Sequence, residues 1–139
     1  MDPLSIIAST ITIATPVAAG LQKLRDSRHA KTDLLLLANE VAEIVLLLQE
    51  LDQALQQQNQ SAGSRPNPRL LQTLDATKSK LTELSNQMSE WDTRPSSQAT
   101  TTKSRPLIWI TINSKVKLFK DELQRIRFQL MTVLSMMNV

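Results

Sequence analysis

The sequence predicts an all-α protein: an antiparallel four-helix bundle with an uncharged N-terminal helix. Three observations carry this. Apolar residues recur at alternating steps of three and four in four separate segments, a spacing that stacks side chains along one helical face. The 139-residue chain holds only two glycines, Gly20 and Gly63, too few for the turns of an all-β fold. Pro16, Pro68 and Pro106, together with two polar connectors, argue against one long coiled-coil rod. A chain of this size is one domain by default and can bury about two thirds of its surface. Residues 1–139 are accordingly taken as a single helical-bundle domain, with helices expected near 3–30, 33–58, 68–91 and 105–137 and flexible connectors at 59–67 and 92–104.

The first helix starts at Asp2-Pro3, a side-chain acceptor at the cap followed by proline at the first helical position. From Pro3 to Leu21 no side chain is charged. As a helix this stretch would span roughly 28 Å, close to the hydrocarbon thickness of a bilayer. It is still a poor permanent span, since Ser5, Ser9, Thr10, Thr12 and Thr15 dilute it and Pro16 interrupts it. Leu4, Ile7, Ile11, Ala14, Ala18 and Leu21 form one stripe, and Ile6, Ile13, Val17 and Leu24 a second on another face. The helix is therefore expected to be apolar on more than one side, as a buried or membrane-seeking helix is. Thr10-Ile11-Thr12-Ile13 alternates as a β-strand would, but no other segment offers a partner strand. Lys23 to Lys31 is basic and polar, and His29 in it reads as an exposed connector residue.

Thr32 or Asp33 opens the second helix, where Leu34, Leu37, Val41, Ile44, Leu48, Leu51 and Leu55 keep the alternation. Leu35, Leu36, Val45, Leu46 and Leu47 add apolar surface, which predicts contact with more than one neighbour. The helix fades into a glutamine-rich run, and Gly63, Pro66 and Pro68 break the chain. Asn67-Pro68 repeats the start signal, and Leu70, Leu74, Thr77, Leu81, Leu84, Met88 and Trp91 form a stripe with Thr77 out of type. Thr93 to Ser104 has no apolar period and reads as a linker. The last helix carries the longest unbroken alternation, through Trp109, Ile112, Val116, Phe119, Leu123, Ile126, Leu130, Val133 and Met137. The bundle core is expected at Leu37, Val41, Ile44, Leu48, Leu74, Leu81, Leu84, Trp109, Phe119, Leu123, Ile126 and Leu130.

Charge and composition remove several function classes. The chain has no cysteine, so there is neither a disulfide framework nor a thiolate metal site. Glycine-rich phosphate loops are absent, and His29 lacks a partner for nucleophilic catalysis. Glu40-x-x-Glu43 resembles half of a di-metal bundle motif, but no helical histidine completes it, and both glutamates are expected on a solvated face. No catalytic residue, cofactor or metal is expected. Residues 33–55 are acidic without a base, and residues 103–127 are mainly basic, which suits two complementary helix faces. The few aromatics sit mostly on core positions, so nucleic-acid binding is not expected. Val17-Ala18-Ala19 before Gly20 would suit signal cleavage, but Asp2, the threonines and Pro16 fit a secretory signal badly.

Met1-Asp2-Pro3-Leu4-Ser5 followed by an uncharged Ile/Ala/Thr/Val helix resembles the start of fungal HeLo-like domains, which stand at the N-termini of STAND/NLR-type receptors and in related short proteins. Trp109, Lys115-Val116-Lys117 and the run from Leu123 to Leu130 resemble that family's closing segment. Two features depart from it: Ile110 follows Trp109 where a Trp-Pro step is common, and the chain carries no nucleotide-binding or repeat region. The resemblance implies either a stand-alone member or an N-terminal domain. It further implies an executioner module of programmed cell death or heterokaryon incompatibility, in which clustering by a sensor releases the first helix into a membrane. The matching positions are Leu4, Ile6, Ile7, Ile11, Ile13, Val17 and Leu21. Lys23, Arg25, Arg28 and Lys31, just past them, could meet anionic headgroups at about 1 kcal/mol each. The expected partners are a second copy of the chain, a receptor or signalling protein, and an anionic membrane, with a cytoplasmic resting location. An adaptor or oligomerisation module without membrane activity is the competing expectation.

Overall fold

A computed structural model describes residues 3–27, 31–60, 68–93 and 105–137, all of them helical. The helices are α1 (Pro3–Ser27), α2 (Lys31–Gln60), α3 (Pro68–Thr93) and α4 (Arg105–Met137). They form the expected all-α four-helix bundle. Positions 28–30, including Arg28 and His29, and the connectors 61–67 and 94–104 lie outside the described residues.

The helices sit at the corners of a square in the order α1, α2, α4, α3. Among the described residues α1 packs on α2 and α3, α4 packs on the same two, and α1 and α4, like α2 and α3, stand across a diagonal with their backbones farther apart. Only three residues separate α1 from α2, which makes that pair a tight hairpin. Trp91 meets Phe119 edge-on, with centroids 6.3 Å apart, and Lys80 pairs with Glu122. Numbers rise on α3 as they fall on α4, so these two run antiparallel.

Each helix gives one face to a continuous core. Leu37, Val41, Ile44, Leu48, Leu74, Leu81, Leu84, Leu123, Ile126 and Leu130 are buried, and Phe119 is half-buried. The Trp109 side chain lies outside the described residues. On α1 the buried set is Ile6, Ile7, Thr10, Ala14, Val17, Leu21 and Leu24. This corrects the two-stripe expectation. The two stripes flank one buried face that takes members from both, while Leu4, Ile11, Ile13 and Ala18 sit half-buried at its edges. On α2 the extra apolar residues divide: Val45 and Leu47 are partly covered, but Leu35, Leu36 and Leu46 are exposed. Contact with two neighbours uses the flanks of the core face and does not reach those three leucines.

Two ionic links tie α4 to its neighbours. Arg127 donates from Nε to Glu40 Oε2 at 2.8 Å and from its terminal nitrogen to Oε1 at 3.4 Å, joining α4 to α2. Glu40 is thus no solvated-face residue, since the pair is mostly covered, while Glu43 remains exposed. The Glu40 hydrogen bond holds the Arg127 guanidinium above its usual pKa. Lys80 bridges Glu122 of α4 and Glu83 of its own helix, stands 5.7 Å from the Phe119 ring centroid, and is likewise raised, first by Glu122 and then by Glu83.

Candidate functional site

The candidate site is α1 itself. Its β-branched run is helical, and each threonine hydroxyl in it finds a partner one turn back. Thr10 donates to the Ile6 carbonyl at 2.6 Å, Thr12 to Ala8 at 2.9 Å and Thr15 to Ile11 at 3.0 Å. These bonds mask the hydroxyls inside the helix's own backbone, so the segment is less polar than its threonine content suggests. Pro16 lies inside the helix at an exposed position, and its missing N–H costs the ladder one bond on the outer side.

Pro3–Leu24 is long and apolar enough to cross a membrane, with a mean hydropathy of 1.7 over its best window. A core helix of a soluble protein passes the same test, and α1 also behaves as one. Of the positions expected to meet a membrane, Ile6, Ile7, Val17 and Leu21 are buried in the bundle, while Leu4, Ile11 and Ile13 are half-buried. None of the seven is fully exposed in this arrangement.

The outer face of α1 departs from ordinary bundle practice. Ser5, Ala8, Thr12, Thr15, Ala19 and Gln22 are all exposed and follow one another at steps of three and four. No charge falls on that stripe. The exposed positions of the other helices carry Glu43 and Glu50 on α2, Asp75, Glu83 and Glu90 on α3, and Lys117, Asp121 and Arg125 on α4. A charged outer face is the usual complement of an amphipathic stripe, and from Ser5 to Gln22 α1 lacks it, the first exposed charge among its described side chains being Lys23.

Of the expected headgroup residues, Lys23 is exposed and lines a shallow groove of about 190 Å³ between α1 and α3, beside Gly20, Ser85, Met88 and Ser89. The side chains of Arg25 and Lys31, and all of Arg28, lie outside the described residues. Gly20 has a packing reason that its sequence context does not show: a Cβ there would stand 2.4 Å from the Met88 methyl. Glycine lets that methyl rest against the α1 backbone. The Glu40–Arg127 link is the other feature missed in the sequence, where the glutamate was assigned to solvent. Among the described residues no three histidine, aspartate or glutamate side chains converge as a metal site would need. Comparison with protein-family models, curated proteins and solved structures finds no match to this chain.

Proposed function

We propose that this bundle is a non-enzymatic signalling or effector module, of the kind HeLo-like cell-death domains represent, whose α1 enters an anionic membrane once the protein is clustered by itself or by a receptor. The single observation behind the proposal is the charge-free exposed stripe of α1 from Ser5 to Gln22. In the resting bundle its apolar face is buried, and its outer face carries only small residues, amides and self-bonded hydroxyls. Turned into lipid, such a helix would desolvate no charge before Lys23, the first basic residue, which falls where a headgroup would lie. Clustering would bias a two-state equilibrium in which α1 is either sheltered or released. The resting location on this reading is cytoplasmic.

The exposed Leu35, Leu36, Leu46, Leu118 and Phe128 favour a second reading, an adaptor that works through helix–helix contacts alone. One experiment separates the two. The chain has no cysteine, so Gly20→Cys with Met88→Cys can be joined selectively by a short bismaleimide, tying α1 to α3. The full chain, fused to a clustering tag, is expected to release dye from anionic vesicles, and the cross-linked form to leave them sealed. Equal leakage with and without the cross-link, or none from either, would defeat the membrane reading.

A further inference from the structure

The exposed leucines of α2 fall into a pattern. Leu35, Asn39, Ala42, Leu46, Gln49 and Gln53 follow one another at alternating steps of four and three, and every one is exposed. This is a second, outward seam on a helix whose inward seam already serves the core. Leu46 is 55% exposed. Like the outer stripe of α1, the seam carries no charge.

The two outward stripes are neighbours. Pro16, Gly20 and Lys23 mark the side of α1 that faces α3, so the opposite flank, with Leu4, Ile11 and Ala18, turns toward α2. On α2, Glu40 marks the side that faces α4, so Ala38 and Val45 turn toward α1. Between the stripes lie these half-buried or buried aliphatic residues and, one heptad beyond Val45, the half-buried Asp52. The two exposed stripes on the α1/α2 side, Ser5 to Gln22 and Leu35 to Gln53, are thus uncharged, with Asp52 near one end and Glu43 and Glu50 along the border toward α4.

We infer that this face is where a second copy of the chain docks, two-fold symmetrically, in the resting state. A two-fold contact requires a patch that is complementary to itself, and an uncharged stripe meets its own copy without like-charge repulsion. The amides of Asn39, Gln49 and Gln53 are donors and acceptors at once, so each can bond to a polar group of the second copy. A polar residue within an apolar seam fixes register in this way. The size is right as well. Leu35 to Gln53 runs about 27 Å, and two helices side by side cover roughly 20 Å, a projected face near 540 Å². Rugged helix surfaces expose more than their projection, which brings the face toward the ~800 Å² per partner of a stable interface. Helices lying on anionic bilayers are rimmed by lysine and arginine, whereas the border toward α4 is acidic, with Lys23 on the opposite border, so a flat lipid surface fits the α2 side less well. The inference does not rest on α1 release, since a chain that never touches lipid would still pair.

Sedimentation equilibrium of the full chain tests it. Wild type is expected to pass from monomer to dimer as concentration rises toward millimolar. Leu46→Glu and Ala8→Glu, one on each stripe and both at exposed positions, are expected to remain monomeric with an unchanged thermal melt. Leu118→Glu, on the outer side of α4, should dimerise as wild type does. A monomeric wild type, or dimerisation that survives Leu46→Glu, overturns the inference. Loss with Leu46→Glu but not Ala8→Glu would reject the two-helix seam. A wild type that stays monomeric yet binds anionic vesicles, and loses that binding with Leu46→Glu, would assign the face to lipid instead.

Discussion

Gln87 lies between the core residues Leu84 and Trp91 on α3, and its Oε1 is buried without a hydrogen-bond partner. An unsatisfied buried acceptor costs about 1–3 kcal/mol. Methionine keeps the length and flexibility of the side chain and removes the amide, so Gln87→Met is expected to stabilise the bundle by ~1 kcal/mol or more, raising Tm by a few degrees. A thermal melt followed by circular dichroism measures this, and a lowered Tm would show that the amide does find a partner in solution. Thr10 and Thr77 show the opposite solution. Both are fully buried, yet each hydroxyl is bonded to the carbonyl four residues back. The heptad pattern exposed Thr77 as a polar member of a core stripe. Thr10 escaped notice because its neighbours Thr12 and Thr15 are chemically identical, and only the phase of the helix distinguishes the inward hydroxyl from the outward two.

At the level of the helix, periodicity locates the core but not the neighbours. Glu40 and Glu43 are three residues apart on one helix. Either could have faced solvent, and the choice depends on where α4 stands around α2. The same gap explains Leu35, Leu36 and Leu46: an apolar excess says that a helix has more to cover, without saying that its own bundle covers it. The inward seams of α2, α3 and α4 were legible because their stripes are long and regular. On α1 the abundance of apolar residues blurs the phase, so the two half-faces of one broad buried face read as two stripes. The Glu40–Arg127 pair gives a quantitative check on the α2–α4 contact. Its geometry is bidentate and mostly covered, between the exposed pairs worth under ~1 kcal/mol and the buried pairs whose rupture costs about 3–5. A double-mutant cycle with Glu40→Gln and Arg127→Met, read by urea unfolding, is expected to give a coupling of about 1–2 kcal/mol. Coupling near zero would mean that the pair is open in solution.

For the molecule as a whole, the question is what α1 contributes by staying. Ile6, Ile7, Val17, Leu21 and Leu24 are its large buried side chains. At about 1.5–3 kcal/mol each, their burial amounts to roughly 8–15 kcal/mol as an upper estimate. Native domains hold only about 5–15 kcal/mol of net stability, so α1 cannot be a loosely held appendage. It packs side by side with both α2 and α3, which face each other only across the diagonal of the square. Without α1 the square has an open corner and two uncovered apolar faces, with α4 alone between them. A chain lacking residues 1–24 is therefore expected to lose its cooperative thermal transition and to bind an apolar dye, as a compact but unpacked state does. If it melted sharply instead, α2, α3 and α4 would own a core of their own and α1 could leave at little cost. On the expected outcome, release and opening of the bundle are a single event. Whatever draws α1 out must then return its burial energy in lipid and also cover the inner faces of α2 and α3, a demand that neighbouring copies in a cluster could meet where an isolated chain could not.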